Sequence, residues 1–153
     1  MAAGDDLVAE PPSRLAFLLA QHGAITNDRM RKAFGLAGLT TRQCLTLMLL
    51  AGGRMSQQAL AEALAVDPSV LVAILNDLER ARLAERRRDP ADRRRHIVEI
   101  TAAGNQALTR AQDAVAVVER ELFADLDEDE LVTLRNLLAR VRTSPSDPLC
   151  TEE

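Results

Sequence analysis

The chain has 153 residues, enough for one packed domain with helical extensions, and 47% of them are apolar, which excludes wholesale disorder. Its formal charge is −4, yet residues 79–95 hold eight arginines against four carboxylates, a net +4 segment on an otherwise acidic chain. With no Trp or Tyr it lacks a base-stacking platform, and its two cysteines and two histidines show no zinc-site spacing, so no metal or other cofactor is expected.

The opening MAAGDDLVAEPP is acidic without a long apolar run, so residues 1–12 read as a flexible arm and not as a signal peptide. Ser13 is placed to cap a helix running to about Gly35, with Leu15, Leu18, His22, Ile25, Met30, Ala33 and Phe34 at helical spacing. Thr40 and Gln43 make a capping box that opens CLTLMLLA, apolar almost all round and therefore expected to be buried, before Gly52-Gly53 stops it. Ser56 caps a short helix, QQALAEALAV, and Asp67-Pro68 signals the next start, a cap followed by proline at the first helical position. Leu71, Ile74, Leu75 and Leu78 then form one core-facing stripe, and two helices joined across so short a turn have helix-turn-helix spacing.

LAERRR and RHIVEI read as strands flanking a charged tip, DPADRR, so a hairpin wing follows the second of those helices. Thr101 caps a further helix with Leu108, Ala111, Val115, Val118 and Leu122 in period. Asp127 and Glu130 form a second capping box before a stripe of Leu131, Leu134, Leu138 and Val141, and residues 143–153 read as a disordered tail. The fold class is mainly α with a small β-hairpin wing. A winged helix-turn-helix at about 37–101 sits within a single domain at 13–142, and helices at about 13–35 and 102–142 serve dimerisation. Their apolar stripes exceed what one winged helix buries, which implies a symmetric homodimer. No apolar run reaches membrane-spanning length, so no membrane partner and a cytoplasmic location are expected.

Residues Leu60 to Gly104, LAEALAVDPSVLVAILNDLERARLAERRRDPADRRRHIVEITAAG, resemble the MarR family of bacterial transcription regulators. Asp92-x-Arg94 followed by Ile100-Thr101 fits the family's wing signature, and GLTTRQCLTLMLL looks like its buried second helix. The resemblance spans roughly residues 13–142 and is most specific at the wing. It implies a homodimer with intertwined terminal helices, bound to palindromic duplex DNA and released by a small ligand or an oxidant. Two positions depart from the pattern. Val72 and Ala73 stand where many relatives carry a Thr-Arg pair, and Arg82 stands where a glycine is usual. A left-handed turn at Arg82 would strain it.

The candidate DNA contacts are Ser56 and Gln57, then Ser69, Val70, Val72, Ala73, Asn76 and Arg80 on the recognition helix, then Asp92, Arg93, Arg94 and Arg95 at the wing. Small or polar residues give a helix room in the major groove; Asn76 can pair with adenine, and Val70, Val72 or Ala73 can meet thymine methyls. The plain alternative for Asn76 is a solvated polar residue. Arg94 suits a narrow minor groove, with Asp92 gripping its guanidinium in a fork. Arg86, Arg87, Arg88, Arg93 and Arg95 fit phosphates or the chain's own carboxylates. Cys44 lies inside the apolar run and reads as packing, whereas Cys150 in the tail is incidental. His22, Cys44 and Met48 are candidates for an effector pocket, although His22 on an apolar stripe also suits a core or interface position.

No nucleophile–base set or phosphate loop is present, so an enzyme is not expected. The sequence reads as a duplex-DNA-binding transcription regulator, a ligand-responsive repressor acting as a homodimer on a palindromic operator. Its rival is a winged-helix module that docks proteins without specific DNA binding, for which eight clustered arginines have little use.

Overall fold

The computed structural model describes residues 14–143. The arm expected at 1–12, Ser13, and all but the first residue of the tail expected at 143–153, Cys150 included, lie outside the described residues. The elements in chain order are α1 (Leu15–Leu36), α2 (Thr41–Ala51), β1 (Met55–Ser56), α3 (Gln57–Leu64), α4 (Pro68–Arg80), β2 (Ala84–Arg88), β3 (His96–Ile100), α5 (Ala102–Leu122) and α6 (Glu128–Leu138). Among the described residues no single helix is long and apolar enough to cross a membrane.

Side-chain caps set most helix starts. Thr40 Oγ1 accepts from the Gln43 amide at 3.2 Å while Gln43 Oε1 accepts from the Thr40 amide at 3.0 Å, the reciprocal box expected for α2. Asp127 and Glu130 repeat it at α6, with both bonds at 2.9 Å. Ser56 and Thr101 accept from the amides of Ala59 and Gly104 at the starts of α3 and α5. Two starts differ from expectation. Arg14, not Ser13, occupies the cap position of α1, and a guanidinium has no acceptor to offer the first turn. Asp67 takes the extended conformation of a cap, but its carboxylate accepts no first-turn amide, leaving Pro68 as the start signal.

Packing follows the periodicity only where a neighbour covers the stripe. Leu71, Leu75 and Leu78 of α4 are fully buried and Ile74 nearly so, joined in the core by Leu47, Leu60 and Val98. Each such burial is worth about 1.5–3 kcal/mol, so truncating Leu75 to alanine costs about 2–5 kcal/mol. α2 departs from the all-round burial expected of it. Cys44, Leu47 and Leu50 enter the core, while Met48 on the other side is 47% exposed because no element covers that face. α1 buries only Ala33 and Phe34, leaving Leu15 83% and Phe17 56% exposed. α6 buries no residue and ends at Leu138, so Val141 lies beyond the helix whose stripe it was expected to complete.

The sheet is antiparallel in the order β1-β3-β2, with Ala84 opposite Ile100, Arg88 opposite His96, and Met55 opposite Val98. The two-residue β1 was not expected, because so short a strand carries no alternation. A tight joint links α4, β2 and α5. The Thr101 amide donates to the Leu83 carbonyl at 3.1 Å, and Thr101 Oγ1 donates to the Arg82 carbonyl at 2.7 Å. A Cβ on Gly104 would overlap the Leu83 carbonyl oxygen and crowd Ile100, so only glycine lets α5 start this close.

α4 ends in a Schellman turn: the Leu83 amide donates to the Leu78 carbonyl at 2.8 Å and the Arg82 amide to the Glu79 carbonyl at 2.9 Å. Arg82 therefore sits at φ 61°, the left-handed conformation anticipated for the position where relatives usually have glycine. A side chain there costs more than the freedom glycine gains in the unfolded chain. Arg82→Gly is expected to stabilise the fold by about 0.5–1 kcal/mol, raising Tm by about 2–4 °C. An unchanged or lowered Tm in thermal melts would show that the turn carries no such strain.

Candidate nucleic-acid interface

Burial of the leucine stripe turns the opposite face of α4 outward, and Ser69, Ala73, Asn76 and Arg80 are all exposed. Val72 is half-buried, and Val70 packs partly against the core. Arg80 pairs with Asp77 at 2.8 Å, but both side chains are more than half exposed, so the pair is weak and readily exchanged. Ser56 and Gln57 line a cleft of about 600 Å3 with Arg94, Arg95 and His96, which brings the start of α3 and the wing tip together. The Ser56 hydroxyl oxygen is already used in capping α3.

The wing is an ordered turn. Asp92 Oδ1 accepts from the Arg94 backbone amide at 3.0 Å, the Asp92 carbonyl accepts from the Arg95 amide at 2.9 Å, and the Arg95 carbonyl accepts from the Asp89 amide at 2.9 Å. The fork expected between Asp92 and the Arg94 guanidinium is absent. The carboxylate binds the Arg94 main chain and faces Arg95 Nε at 3.6 Å, because a side chain two residues from its partner closes a turn more easily than it grips a long side chain. Arg87 pairs with Glu85 at 2.8 Å. Among the described residues no carboxylate pairs with Arg88, Arg93 or Arg94, and all three are exposed.

Arg86 behaves differently from its neighbours. Its Nη2 donates to Glu79 Oε2 at 2.5 Å and to Asn76 Oδ1 at 2.6 Å, and its backbone amide donates to Glu79 Oε1 at 3.0 Å. These bonds tie β2 to the outward face of α4. The sequence reading allowed Arg86 one of the chain's own carboxylates but missed its hold on Asn76. No periodic signal links residues on two elements joined by a turn.

Residues 37–95 match the model of the MarR family. A Thauera aromatica protein described as a transcriptional regulatory protein for the hcr operon is 40% identical over 93 residues, covering 61% of this chain and 56% of that protein. The chain thus matches just over half of that relative's length. The repressor CouR, solved bound to a 23-mer DNA duplex, superposes with a TM-score of 0.74 at 30% identity, covering 82% of this chain and 90% of that one. A MarR-family regulator from Rhodococcus sp. RHA1 gives a TM-score of 0.71 at 26% identity, covering 80% of this chain and 88% of that one. The winged helix at residues 37–95 belongs to the MarR family. Within that family's winged-helix fold, Val72 and Ala73 leave the middle of α4 without side-chain hydrogen-bonding groups, so Asn76 is the one polar residue on its central outward face.

The three residues considered for an effector pocket separate in the structure. Met48 lines an apolar pocket of about 370 Å3 with Leu45, Leu49, Leu64, Val66 and Ile74, and Thr41 and Arg42 complete one wall. Cys44 does not line it, because it points to the other side of α2, into the core, where burial pushes its thiol pKa up. His22 is also absent from that lining and is exposed on α1.

The Arg86 hydrogen bond, outweighing partial burial, holds the Glu79 carboxyl below the usual carboxylate range. A folded-state pKa below the unfolded one stabilises fully above the unfolded value and is lost as pH falls through the folded one. Wild-type protein is therefore expected to lose thermal stability from about pH 5 downward more steeply than Glu79→Gln, which cannot titrate. Parallel Tm–pH curves for the two would mean that the pair adds nothing to the fold.

Proposed function

We propose that residues 13–142 act as one unit, a cytoplasmic, sequence-specific duplex-DNA-binding transcription regulator. It works as a homodimeric repressor on a palindromic operator and releases it when a small molecule binds. The observation that carries this reading is the joining of the outward face of α4 to a wing with three unneutralised arginines, Arg88, Arg93 and Arg94. A helix with small residues and one carboxamide suits the major groove, and exposed arginines on an adjacent hairpin suit phosphates and the minor groove. CouR, a repressor of the same fold, was solved on a DNA duplex, which supports the same partner here.

Dimerisation is supported by apolar surface that this chain does not cover: Leu15, Phe17 and Leu19 on α1, with Val132, Leu137 and Leu138 on α6. A two-fold dimer would set its α4 helices about 34 Å apart, one turn of DNA. The pocket at Met48 suits an apolar effector, and because Ile74 of α4 forms part of its wall, an occupant would press on the recognition helix from behind.

Selection of bound duplexes from a random pool tests this function, with an enriched palindrome as the expected result and no enrichment as the result that overturns it. Removing residues 125–153 is expected to yield monomer or aggregate and abolish operator binding; a soluble, fully active monomer would refute the dimer. Arg94→Ala is expected to cost about 1–3 kcal/mol, mostly on A/T-narrowed sites. Asp92→Ala removes a negative charge yet is expected to weaken binding, because the turn that presents Arg94 loosens. Tighter binding by Asp92→Ala at two salt concentrations would reduce the wing to unstructured positive charge.

A further inference from the structure

We propose that Arg86 is a positioning residue that locks the Asn76 carboxamide with its Nδ2 donors outward, so that α4 selects guanine over adenine at the base it meets. This rests on the DNA-binding reading above and specifies what that face recognises. The contact of Arg86 Nη2 with Asn76 at 2.6 Å fixes which end of the amide is oxygen, because a guanidinium has donors only. Glu79 holds the same guanidinium at 2.5 Å and its main chain at 3.0 Å, and the Arg86 and Glu79 side chains are only 22% and 31% exposed. Charge-assisted bonds of this kind are roughly twice as strong as neutral ones.

The consequence is a one-sided reader. Adenine offers a donor, N6, beside an acceptor, N7, and asparagine matches it by presenting oxygen and nitrogen together. Here the Asn76 oxygen is engaged by a cation, and its remaining lone pair lies beside guanidinium N–H groups, which repel an approaching N6–H donor. Turning the amide to face adenine would break the Arg86 bond. Guanine presents N7 and O6, both acceptors, to the two Nδ2 protons and leaves the clamp intact. The neighbouring Val72 and Ala73 supply no hydrogen-bonding side chain that would override this choice.

The test is duplex selection with wild type, Asn76→Ala, Asn76→Asp and Arg86→Met. Asn76→Ala identifies the base pair, as the position whose preference disappears. At that position wild type is expected to favour guanine over adenine by about tenfold. Asn76→Asp keeps the Arg86 anchor but presents acceptors only, so the preference is expected to move to cytosine, whose N4 is a donor. Arg86→Met frees the amide, and adenine is expected to gain on guanine. Should Arg86→Met fail to fold, the wild-type preference decides, because an asparagine free to turn would take adenine. Wild-type preference for adenine, an unaltered guanine preference in folded Arg86→Met, no cytosine shift in Asn76→Asp, or no position sensitive to Asn76→Ala overturns the proposal. A wild type that enriches no duplex instead overturns DNA recognition itself, and this inference with it.

Discussion

Leu71, Leu75 and Leu78 are withdrawn from water on one side of α4, and that burial decides which residues the helix can offer to anything outside. With 3.6 residues per turn, the opposite arc falls on Ser69, Ala73, Asn76 and Arg80. The same packing sets the root of the wing. Leu78 is both a core residue and the acceptor of the turn that redirects the chain, so the Leu83 amide and then the buried Ala84 follow directly from where the helix is anchored. A helix free to roll would lose its outward face and its hairpin together.

The arginines divide by burial more than by number. Arg80, Arg87 and Arg95 each meet a carboxylate, but their side chains are at least 66% exposed, and pairs of that kind contribute about 0–1 kcal/mol. They remain part of the positive field. Arg86 is mostly covered and shares its guanidinium between Glu79 and Asn76, which makes it a tie between strand and helix. A segment with net charge +4 thus divides in two: one arginine ties β2 to the outward face of α4, while its exposed neighbours make up the positive field.

What the sequence made legible was local. Thr40–Gln43, Asp127–Glu130, the α4 stripe and the left-handed turn at Arg82 all rest on residues within a few positions of each other, and each is found as read. Contacts made through the fold were harder to read. Asn76 and Arg86 stand on different elements, so their bond depends on how the Schellman turn aims β2. The Asp92 carboxylate had several donors in reach, and turn closure won over the Arg94 side chain. Cys44 and His22 stood beside Met48 as pocket candidates, but only the direction of each side chain decides which faces the pocket. Gly104 gave no signal at all, since its need for a hydrogen atom in place of Cβ comes from a carbonyl 21 residues earlier.

The exposed apolar residues of α1 and the outward face of α4 are connected through α5. α1 lies along α5, and α6 faces α5 across a cleft lined by Phe123, Leu131 and Leu134. The first turn of α5 is bound to the end of α4 by Thr101, which donates its amide to Leu83 and its hydroxyl to Arg82 while capping Gly104. With no room for a side chain at Gly104, that joint has little slack. The end of α4 and the start of α5 thus share one set of hydrogen bonds, and from the Schellman turn β2 and its Arg86 bonds to α4 take their position. The exposed apolar residues of α1 and α6 and the outward face of α4 are therefore placed relative to one another by a single helix, α5, and by the joint that Gly104 makes possible.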